Sequence, residues 1–354
     1  MIYTLDDDQH KKLKLQFRQI GAAQKDELSE TWHDRAWPID SWTQIVQNKP
    51  LFHSPTDCPQ EAMLKVFSVL EGWSSGNGDS SFCTSLIVQY LLCHPIIREY
   101  FPDYKMKEDD VVCFALTELS GGSSPFDMSV QIDRSSNTVS GVKWHITNAP
   151  VCDHILLFGK DTDTNQLAIA MVRPDQPGVE VEQLDCEGMH NSPVGKIYFE
   201  GAHAEEVIIS SSKVKRAVKQ AFQAERLGIG FVSTGIVEYH LDKLIHYLRN
   251  RKVGGAKIIK HQYLQKRLTD IKIQSETLKA LISCTMQSLM RGEDISALAS
   301  KIKVLAIRQV IEFAEHGMKC YGSYGVQKEI GLMRLMSDSL CASIAGGTEE
   351  FHRM

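Results

Sequence analysis

The chain has 354 residues, of which 43% are hydrophobic and 23% are charged, and its formal net charge is −5. This size and composition suit a folded globular protein with one large core or several smaller ones, and they exclude a largely disordered chain. The charges are spread along the sequence without the basic block of a nucleic-acid-binding surface, so nucleic acid is not a predicted partner.

The nine cysteines include no C-x-x-C pair, and most stand among apolar neighbours, where a free thiol behaves as a small hydrophobic side chain. This usage fits a reducing compartment, and a cytoplasmic location is predicted. The first residues contain acids ahead of the first lysines and no apolar run of signal-peptide length. No later segment approaches the roughly 18 apolar residues of a membrane span, so no membrane association is expected. No metal site is predicted.

Three types of pattern follow one another along the chain. Residues 1–110 contain apolar positions at helical spacing, as in AMLKVFSVL, and predict an N-terminal helical domain. Residues 111–212 contain short runs rich in β-branched and aromatic residues, such as HILLFGK, and predict a small antiparallel β-barrel or sheet. Residues 213–354 carry long helical patterns joined by short turns, which predict a C-terminal bundle of long helices. The predicted fold is therefore α+β and multidomain.

The last part of the chain carries the most specific motif. Between Gly322 and Glu350 the sequence reads GSYGVQKEIGLMRLMSDSLCASIAGGTEE. It resembles the closing signature of the acyl-CoA dehydrogenase family, a G-G-Y-G turn followed by an amphipathic helix and an x-G-T-x-E loop. The resemblance covers nearly the whole chain and implies the family's architecture, FAD as cofactor, and oxidation of an acyl thioester.

The predicted catalytic base stands far from this motif. In many members of the family, the residue before the last G-T is the glutamate that removes the substrate's α-proton, but Gly346 stands there in this chain. The segment FQAERLGIG resembles the helix on which isovaleryl- and long-chain acyl-CoA dehydrogenases carry their glutamate in an E-R-L context. Glu225 is therefore predicted to be the base. Glu349 and Glu350 are weaker candidates because they follow the critical loop position.

Two segments of the middle region resemble the strands that hold the flavin ring in this family. FALTELSGGSS resembles T-E-P-G-A-G-S-D, and GVKWHITNA resembles the strand that usually contains W-I-T. His145 takes the place of the ring-stacking residue, because period-two alternation sends Trp144 to the opposite side of the strand. The resemblance assigns cofactor contacts to Phe114, Leu116, Thr117, Gly122, Ser123, His145 and Thr147.

In the family, the nucleotide half of FAD is held partly by a neighbouring subunit, through an R-x-x-F-G segment and an H-Q pair. This chain offers RKVGGAK, in which Arg251 matches and Gly254 replaces the aromatic residue. The planar fork of an arginine suits a phosphate group. By the same resemblance the nucleotide site contains Arg251, His261, Gln262, Tyr321, Gly322, Ser323, Thr348 and Glu350. A cofactor shared between subunits implies a homo-oligomer, either a dimer or a tetramer.

The substrate implied by the resemblance is an acyl group on coenzyme A or on an acyl carrier protein. Its predicted contacts are Ser123, Phe222, Arg226 and Gly346. An electron-transfer flavoprotein or another acceptor would then remove the electrons from the flavin. Departures from the family pattern mark a divergent member; they occur at Leu119, Ser124, His190, Gln223 and Ser337.

Two alternative functions stay open on the same fold. A flavin-dependent monooxygenase would activate oxygen and would need no base for an α-proton. The other alternative is a catalytically inactive flavoprotein, in which activity was lost when the loop glutamate became glycine. The presence of Thr117, Glu118 and Thr147 favours the dehydrogenase over the monooxygenase.

Overall fold

The computed structural model of the chain describes residues 8–54, 57–121, 124 and 126–353. Its first part consists of the helices α1 (Asp8–Ala23), α2 (Lys25–Asp34), α3 (Ile39–Asn48), α4 (Pro59–Asn77), α5 (Ser81–Ile87) and α6 (His94–Tyr100). Between α5 and α6 the chain continues as a π-helix over Val88–Cys93. Helix α4 begins with a proline, whose missing N–H is not needed in a first turn, and is followed by Gly78 in the left-handed conformation. The predicted N-terminal helices are confirmed.

The middle region is a seven-stranded sheet. Its strands are β1 (Val112–Ala115), β2 (Gln131–Asp133), β3 (Thr138–Thr147), β4 (His154–Asp161), β5 (Leu167–Val172), β6 (Val179–Gln183) and β7 (Val194–Ile209). The pairings β4–β2, β2–β3, β3–β7, β7–β5 and β5–β4 return to their starting strand, so the sheet closes into a barrel. The sheet was predicted to be antiparallel, but β1 and β2 both run parallel to β4.

Alternate residues of the barrel strands serve two different cores. Cys113 of β1 and Ile155 of β4 point into the barrel interior, whereas Phe114 and Leu156, the next residue on each strand, join the core shared with the helices. Strands β4 and β5 are buried along almost their whole length for this reason. The outer face of β1 therefore packs against the core that is shared with the helices.

The last part of the chain forms the predicted bundle of long helices. They are α7 (Ser211–Asn250), α8 (Gln262–Met290), α9 (Ser296–Tyr321), α10 (Leu332–Ile344) and the short α11 (Glu349–Arg353), with a hairpin of β8 (Lys252–Val253) and β9 (Ala256–Lys257) between α7 and α8. Ser210 caps α7 by accepting a hydrogen bond from the main-chain N–H of Lys213. The N-terminal helices and the bundle share one hydrophobic core, and the division into domains at residues 110 and 212 stays a prediction. Within the described ranges, no helix is long and apolar enough to cross a membrane.

A buried carboxylate joins three parts of the fold. Asp338 of α10 is 0% exposed and accepts hydrogen bonds from Trp32 Nε1 at 3.0 Å, the Met189 main-chain N–H at 2.7 Å and Ser80 Oγ at 3.1 Å. Burial raises the pKa of Asp338 to about 6, with the positive charge of Arg334 opposing this change.

We expect Asp338 to lower the stability of the folded protein as the pH rises from about 4 to about 6. The folded state holds the Asp338 proton more tightly than the unfolded chain does, so raising the pH through this window favours unfolding. Relative to wild type, Asp338→Asn should therefore gain about 2 kcal/mol in free energy of unfolding between pH 4 and pH 7. Urea unfolding at each pH measures this difference. The exposed control Asp163→Asn should show no such gain, and an equally flat difference for Asp338→Asn would contradict the prediction.

Candidate active site

Glu225 and Gly346, which lie 121 positions apart in the sequence, are adjacent in the structure. Glu225 lies on α7 where this helix passes the loop between α10 and α11. A Cβ atom built on Gly346 would lie 2.6 Å from Oε2 and 2.7 Å from Oε1 of Glu225. The carboxylate therefore occupies the space into which a side chain at position 346 would project. Gly346 also has a φ of +61°, which residues with a side chain rarely adopt.

The Glu225 carboxylate has an oxygen available for chemistry. The residue as a whole is half-buried, but its Oε2 atom is closed off from solvent and has no hydrogen-bond partner among the described residues. Burial raises the pKa of Glu225, and the positive charges of Lys303 and Arg226 oppose this change. A desolvated carboxylate with a raised pKa and a free oxygen is suited to act as a proton acceptor.

Two neighbours of Glu225 on α7 were predicted to contact the substrate. Arg226 donates from Nη1 to Ser300 Oγ at 3.3 Å, and its guanidinium lies 5.7 Å from the centre of the Phe222 ring. Its Nε atom is buried without a partner in the described part of the chain, and burial lowers its pKa. The next turn of α7 is closed by apolar side chains, since a Cβ atom on Gly228 would be 2.8 Å from Leu91 Cδ1. The space beside Glu225 is thus apolar on one side and cationic on the other.

The loop around Gly346 is fixed by two residues that the sequence analysis did not identify. Lys303 of α9 is 1% exposed, and its Nζ donates to the carbonyl oxygens of Ala345 and Gly347. His352 of α11 has Nε2 3.2 Å from the Gly346 carbonyl oxygen and Nδ1 3.2 Å from Ser300 Oγ. Three consecutive loop carbonyls therefore contact side-chain nitrogens. Because a lysine in an amphipathic helix is normally exposed, only the structure identifies Lys303.

The weaker candidates for the base lie differently. Glu349 forms ion pairs at 2.6 Å with both Arg308 and Arg353. Glu350 is exposed, as the first residues of a short helix after the loop often are. Glu225 is therefore better placed than either of them to act as a base beside Gly346.

The residues predicted to hold the flavin ring lie where two strands end. The main-chain N–H of Trp144 donates to the Thr117 carbonyl at 2.9 Å, which joins the end of β1 to β3. The Phe114 ring lies 6.4 Å from the ring of Phe222, one turn before Glu225 on α7. Leu116 is buried, Thr117 and Thr147 are half-buried, and His145 is exposed. Gly122 and Ser123, also predicted to bind cofactor or substrate, lie outside the described residues.

Simple alternation does not apply at His145. Lys143 pairs with Ile197 and Ile146 pairs with Gly195, so Trp144 and His145 form a bulge in β3. His145 has a φ of +55°, an unusual value for a residue with a side chain. Trp144 and His145 therefore do not alternate as in a regular strand, so that prediction is wrong, whereas the contact of His145 with flavin stays a prediction.

Glu118, which matches the glutamate of the family loop, has a structural partner. Lys143 is 0% exposed, and its Nζ donates at 2.8 Å both to Glu118 Oε1 and to the Leu116 carbonyl. Glu118 also accepts from the N–H and the hydroxyl of Ser129 at 2.6 Å and from the Val130 N–H at 3.1 Å. The pair thus ties both ends of the loop after β1 to the barrel.

The predicted nucleotide residues separate into three groups. Arg251 and Tyr321 line one cavity of about 680 Å³, together with Tyr247 and His246. Aromatic rings beside a permanently charged guanidinium fit an adenine and a phosphate group. Gly322 directly follows Tyr321 at the end of α9, whereas His261 and Gln262 are exposed at the start of α8 and do not line this cavity. Thr348 and Glu350 lie instead beside the Gly346 loop.

One helix separates the two ends of the predicted cofactor site. Arg251 directly follows α7, and Glu225 lies within it, so about 39 Å of helix lies between them. This distance places the arginine cavity far from the Glu225 carboxylate of the same chain.

His190 does not replace the arginine that the family has in its loop. Its ring stacks on Trp32 with 4.2 Å between the ring centres. Its two nitrogens face the main-chain oxygens of Trp32 at 2.7 Å and of Cys186 at 2.9 Å. His190 therefore supports the loop before β7 and contacts none of the residues around Glu225 in the described part of the chain.

Comparison with known proteins identifies a family over most of the chain. Residues 113–202 match the family model of the acyl-CoA dehydrogenase middle domain, and residues 215–354 match that of the C-terminal domain. Together the two matches span more than half of the chain.

Named relatives and a solved structure are similar to most of the chain. A 3-sulfinopropanoyl-CoA desulfinase of Paraburkholderia xenovorans is 24% identical over 69% of this chain and 66% of its own length. A mitochondrial 2-methylacyl-CoA dehydrogenase of Solanum tuberosum is 26% identical over 75% of this chain and 69% of its own length. The alignments therefore span about two thirds of these relatives. A glutaryl-CoA dehydrogenase of Mycobacterium smegmatis, solved in complex with FADH2, has a TM-score of 0.85 at 18% identity and covers 99% of this chain and 93% of its own.

Proposed function

The chain belongs to the acyl-CoA dehydrogenase family, and we propose that it is an FAD-dependent oxidoreductase that dehydrogenates an acyl thioester between its α and β carbons. The family assignment alone does not fix the reaction, because the named relatives include a desulfinase as well as a dehydrogenase. The observation that carries the proposal is the position of the Glu225 carboxylate beside Gly346. A carboxylate is thus available in the same space although the loop itself has none.

In this proposal Glu225 removes the α-proton. Burial raises the pKa of its carboxylate, and the charges of Lys303 and Arg226 favour the ionised form that can accept the proton. Phe222 and Arg226 contact the acyl thioester, and the absence of a side chain at Gly346 leaves room for the Glu225 carboxylate.

Phe114, Leu116, Thr117, His145 and Thr147 would hold the ring system of FAD at the end of the barrel. When bound, FAD supplies the acceptor for the hydride that leaves the β-carbon. The nucleotide end would lie in the cavity of Arg251 and Tyr321. Because that cavity is far from Glu225 of the same chain, we propose that a second copy supplies it and that the protein is a homo-oligomer.

The substrate in this proposal is carried by coenzyme A or by an acyl carrier protein, and an electron-transfer flavoprotein or another acceptor oxidises the reduced flavin. Anaerobic titration of the flavin absorbance with a panel of both types of thioester tests the reaction. Bleaching by a thioester supports dehydrogenation. Rapid oxygen consumption by the reduced protein without thioester oxidation would support the monooxygenase instead. A colourless protein that cannot be reconstituted with FAD would contradict both enzymes.

Gly346→Ala should slow the reduction of flavin by the best thioester at least about 10-fold, because the new Cβ must displace the Glu225 carboxylate. The left-handed backbone should also lower the free energy of unfolding by about 1–2 kcal/mol. Gly201→Ala is a matched control, since Gly201 has a φ of +64° and nothing within 4 Å of the built Cβ. Stopped-flow absorbance and urea unfolding measure the two effects. Equal flavin reduction rates in the two variants would show that position 346 does not constrain the base.

A further inference from the structure

We propose that Lys303 is a positioning residue that fixes the loop around Gly346 and places a positive charge beside the Glu225 carboxylate. The first part of this inference stands on geometry alone, and its consequence for catalysis rests on the proposed function. Lys303 lies in the third turn of α9, with its side chain inside the protein and its ammonium group at the loop.

The loop needs such an anchor because its sequence does not restrain it. Gly346 and Gly347 both have positive φ values, of +61° and +102°, and glycine allows many other backbone conformations. Lys303 supplies donors to the Ala345 and Gly347 carbonyls, on either side of Gly346. The glycine that faces Glu225 is thereby held from both sides by one ammonium group.

The titratable groups around the Glu225 carboxylate and its neighbouring loop come from three helices. Helix α7 contributes Arg226, α9 contributes Lys303, and α11 contributes His352. Burial lowers the pKa of His352 to about 4, so its ring is neutral at pH 7. A neutral ring with its proton on Nε2 can donate to the Gly346 carbonyl and accept from Ser300 at Nδ1.

Lys303 itself stays charged at neutral pH. Burial lowers its pKa to about 8, and the Glu225 carboxylate opposes this change. At pH 7 the cations that act on Glu225 are therefore Lys303 and Arg226, and Arg308, on the same helix as Lys303, is paired with Glu349 at 2.6 Å. Burial favours the protonated form of Glu225, and the charges of Lys303 and Arg226 favour the ionised form. Without Lys303 only Arg226 does so, and the carboxyl group should bind its proton more tightly.

The test is an infrared pH titration of the purified protein with the flavin it holds and without any thioester. Subtracting the spectrum of Glu225→Gln isolates the protonated carboxyl band of Glu225, whose intensity against pH gives its pKa. In Lys303→Met the midpoint should rise by about one pH unit or more. The control Lys301→Met removes an exposed lysine from the same helix, and its midpoint should equal that of wild type.

A midpoint in Lys303→Met that equals wild type would overturn the proposal. If that variant does not fold, Lys303→Gln is used instead, because it retains a donor for one loop carbonyl without the charge. A raised Glu225 midpoint in this variant supports the proposal, and an unchanged midpoint overturns it. Hydrogen exchange of residues 345–353 should also be at least about tenfold faster in the Met variant than in Lys301→Met, because the loop carbonyls lose their donor. Since no thioester is present, these measurements succeed or fail independently of whether the protein dehydrogenates one.

Discussion

The variant Glu225→Gln is expected to transfer electrons from an acyl thioester to bound flavin about 10²–10⁴-fold more slowly than wild type. Glutamine has nearly the same shape as glutamate, so the packing against Gly346 should persist, but an amide cannot accept the α-proton. Stopped-flow absorbance under anaerobic conditions measures the rate with saturating thioester, and equilibrium titration measures the affinity. We expect the rate to fall much more than the affinity.

Glu200→Gln is the control, because Glu200 is an exposed residue of β7 to which no role in the site is assigned. Its flavin should be reduced at the wild-type rate. If Glu225→Gln also reduces its flavin at that rate, the base has been assigned to the wrong residue. A protein in which neither variant nor wild type reduces flavin with any thioester would instead contradict dehydrogenation itself.

The position of the carboxylate can be tested by moving it. In the double variant Glu225→Ala with Gly346→Glu, the carboxylate would start from the loop and enter the space that Glu225 vacates. We expect the double variant to reduce its flavin at least about tenfold faster than Glu225→Ala, since a general base contributes through its position and its pKa. The strained φ at position 346 should keep it slower than wild type. A double variant no faster than Glu225→Ala would show that the two positions do not serve one site.

Glu118→Gln is expected to lower the free energy of unfolding by about 3–5 kcal/mol, because it leaves the buried Lys143 cation without its counter-charge. Lys143→Met should have a smaller effect, since Glu118 would keep three donors from Ser129 and Val130. Urea unfolding at pH 7 measures both. Burial already lowers the pKa of Lys143 to about 8, which shows how far its charge is removed from water.

The double variant Glu118→Gln with Lys143→Met provides the control for this pair. It should recover at least half of the stability lost in Glu118→Gln, because the unpaired cation is gone. Lys266→Met removes a lysine of the exposed pair with Asp270 and should change stability by less than about 1 kcal/mol. Equal losses in Glu118→Gln and Lys143→Met would contradict the asymmetry argued from their hydrogen bonds.

Much of the architecture could be predicted from the sequence because it depends on strong local patterns. Helix α7 carries apolar residues at helical spacing over 40 residues and begins at a serine cap. The short apolar runs of β4 and β5 likewise indicate buried strands. Strand β2 has only three residues, and its parallel pairing with β4 depends on the path of the chain between them, which no local pattern reveals.

The candidate site was predictable where one residue explains another. A glycine at position 346 and a glutamate in an E-R-L segment made sense only together, and the structure places them side by side. Lys303 could not be found in this way, because a lysine among the apolar residues of α9 has no pattern that distinguishes a buried ammonium from an exposed one. His145 was placed by an alternation rule that the bulge in β3 breaks.

The length of α7 ties the cofactor to assembly. About 39 Å of helix lies between Glu225 and Arg251, so in the proposed homo-oligomer each FAD would be gripped by two polypeptides at once. Dissociation and loss of the yellow colour would then be a single event. A substitution that weakens subunit contacts would therefore also lower the occupancy of FAD. This loss would be smaller when riboflavin is supplied and greater when the protein is diluted.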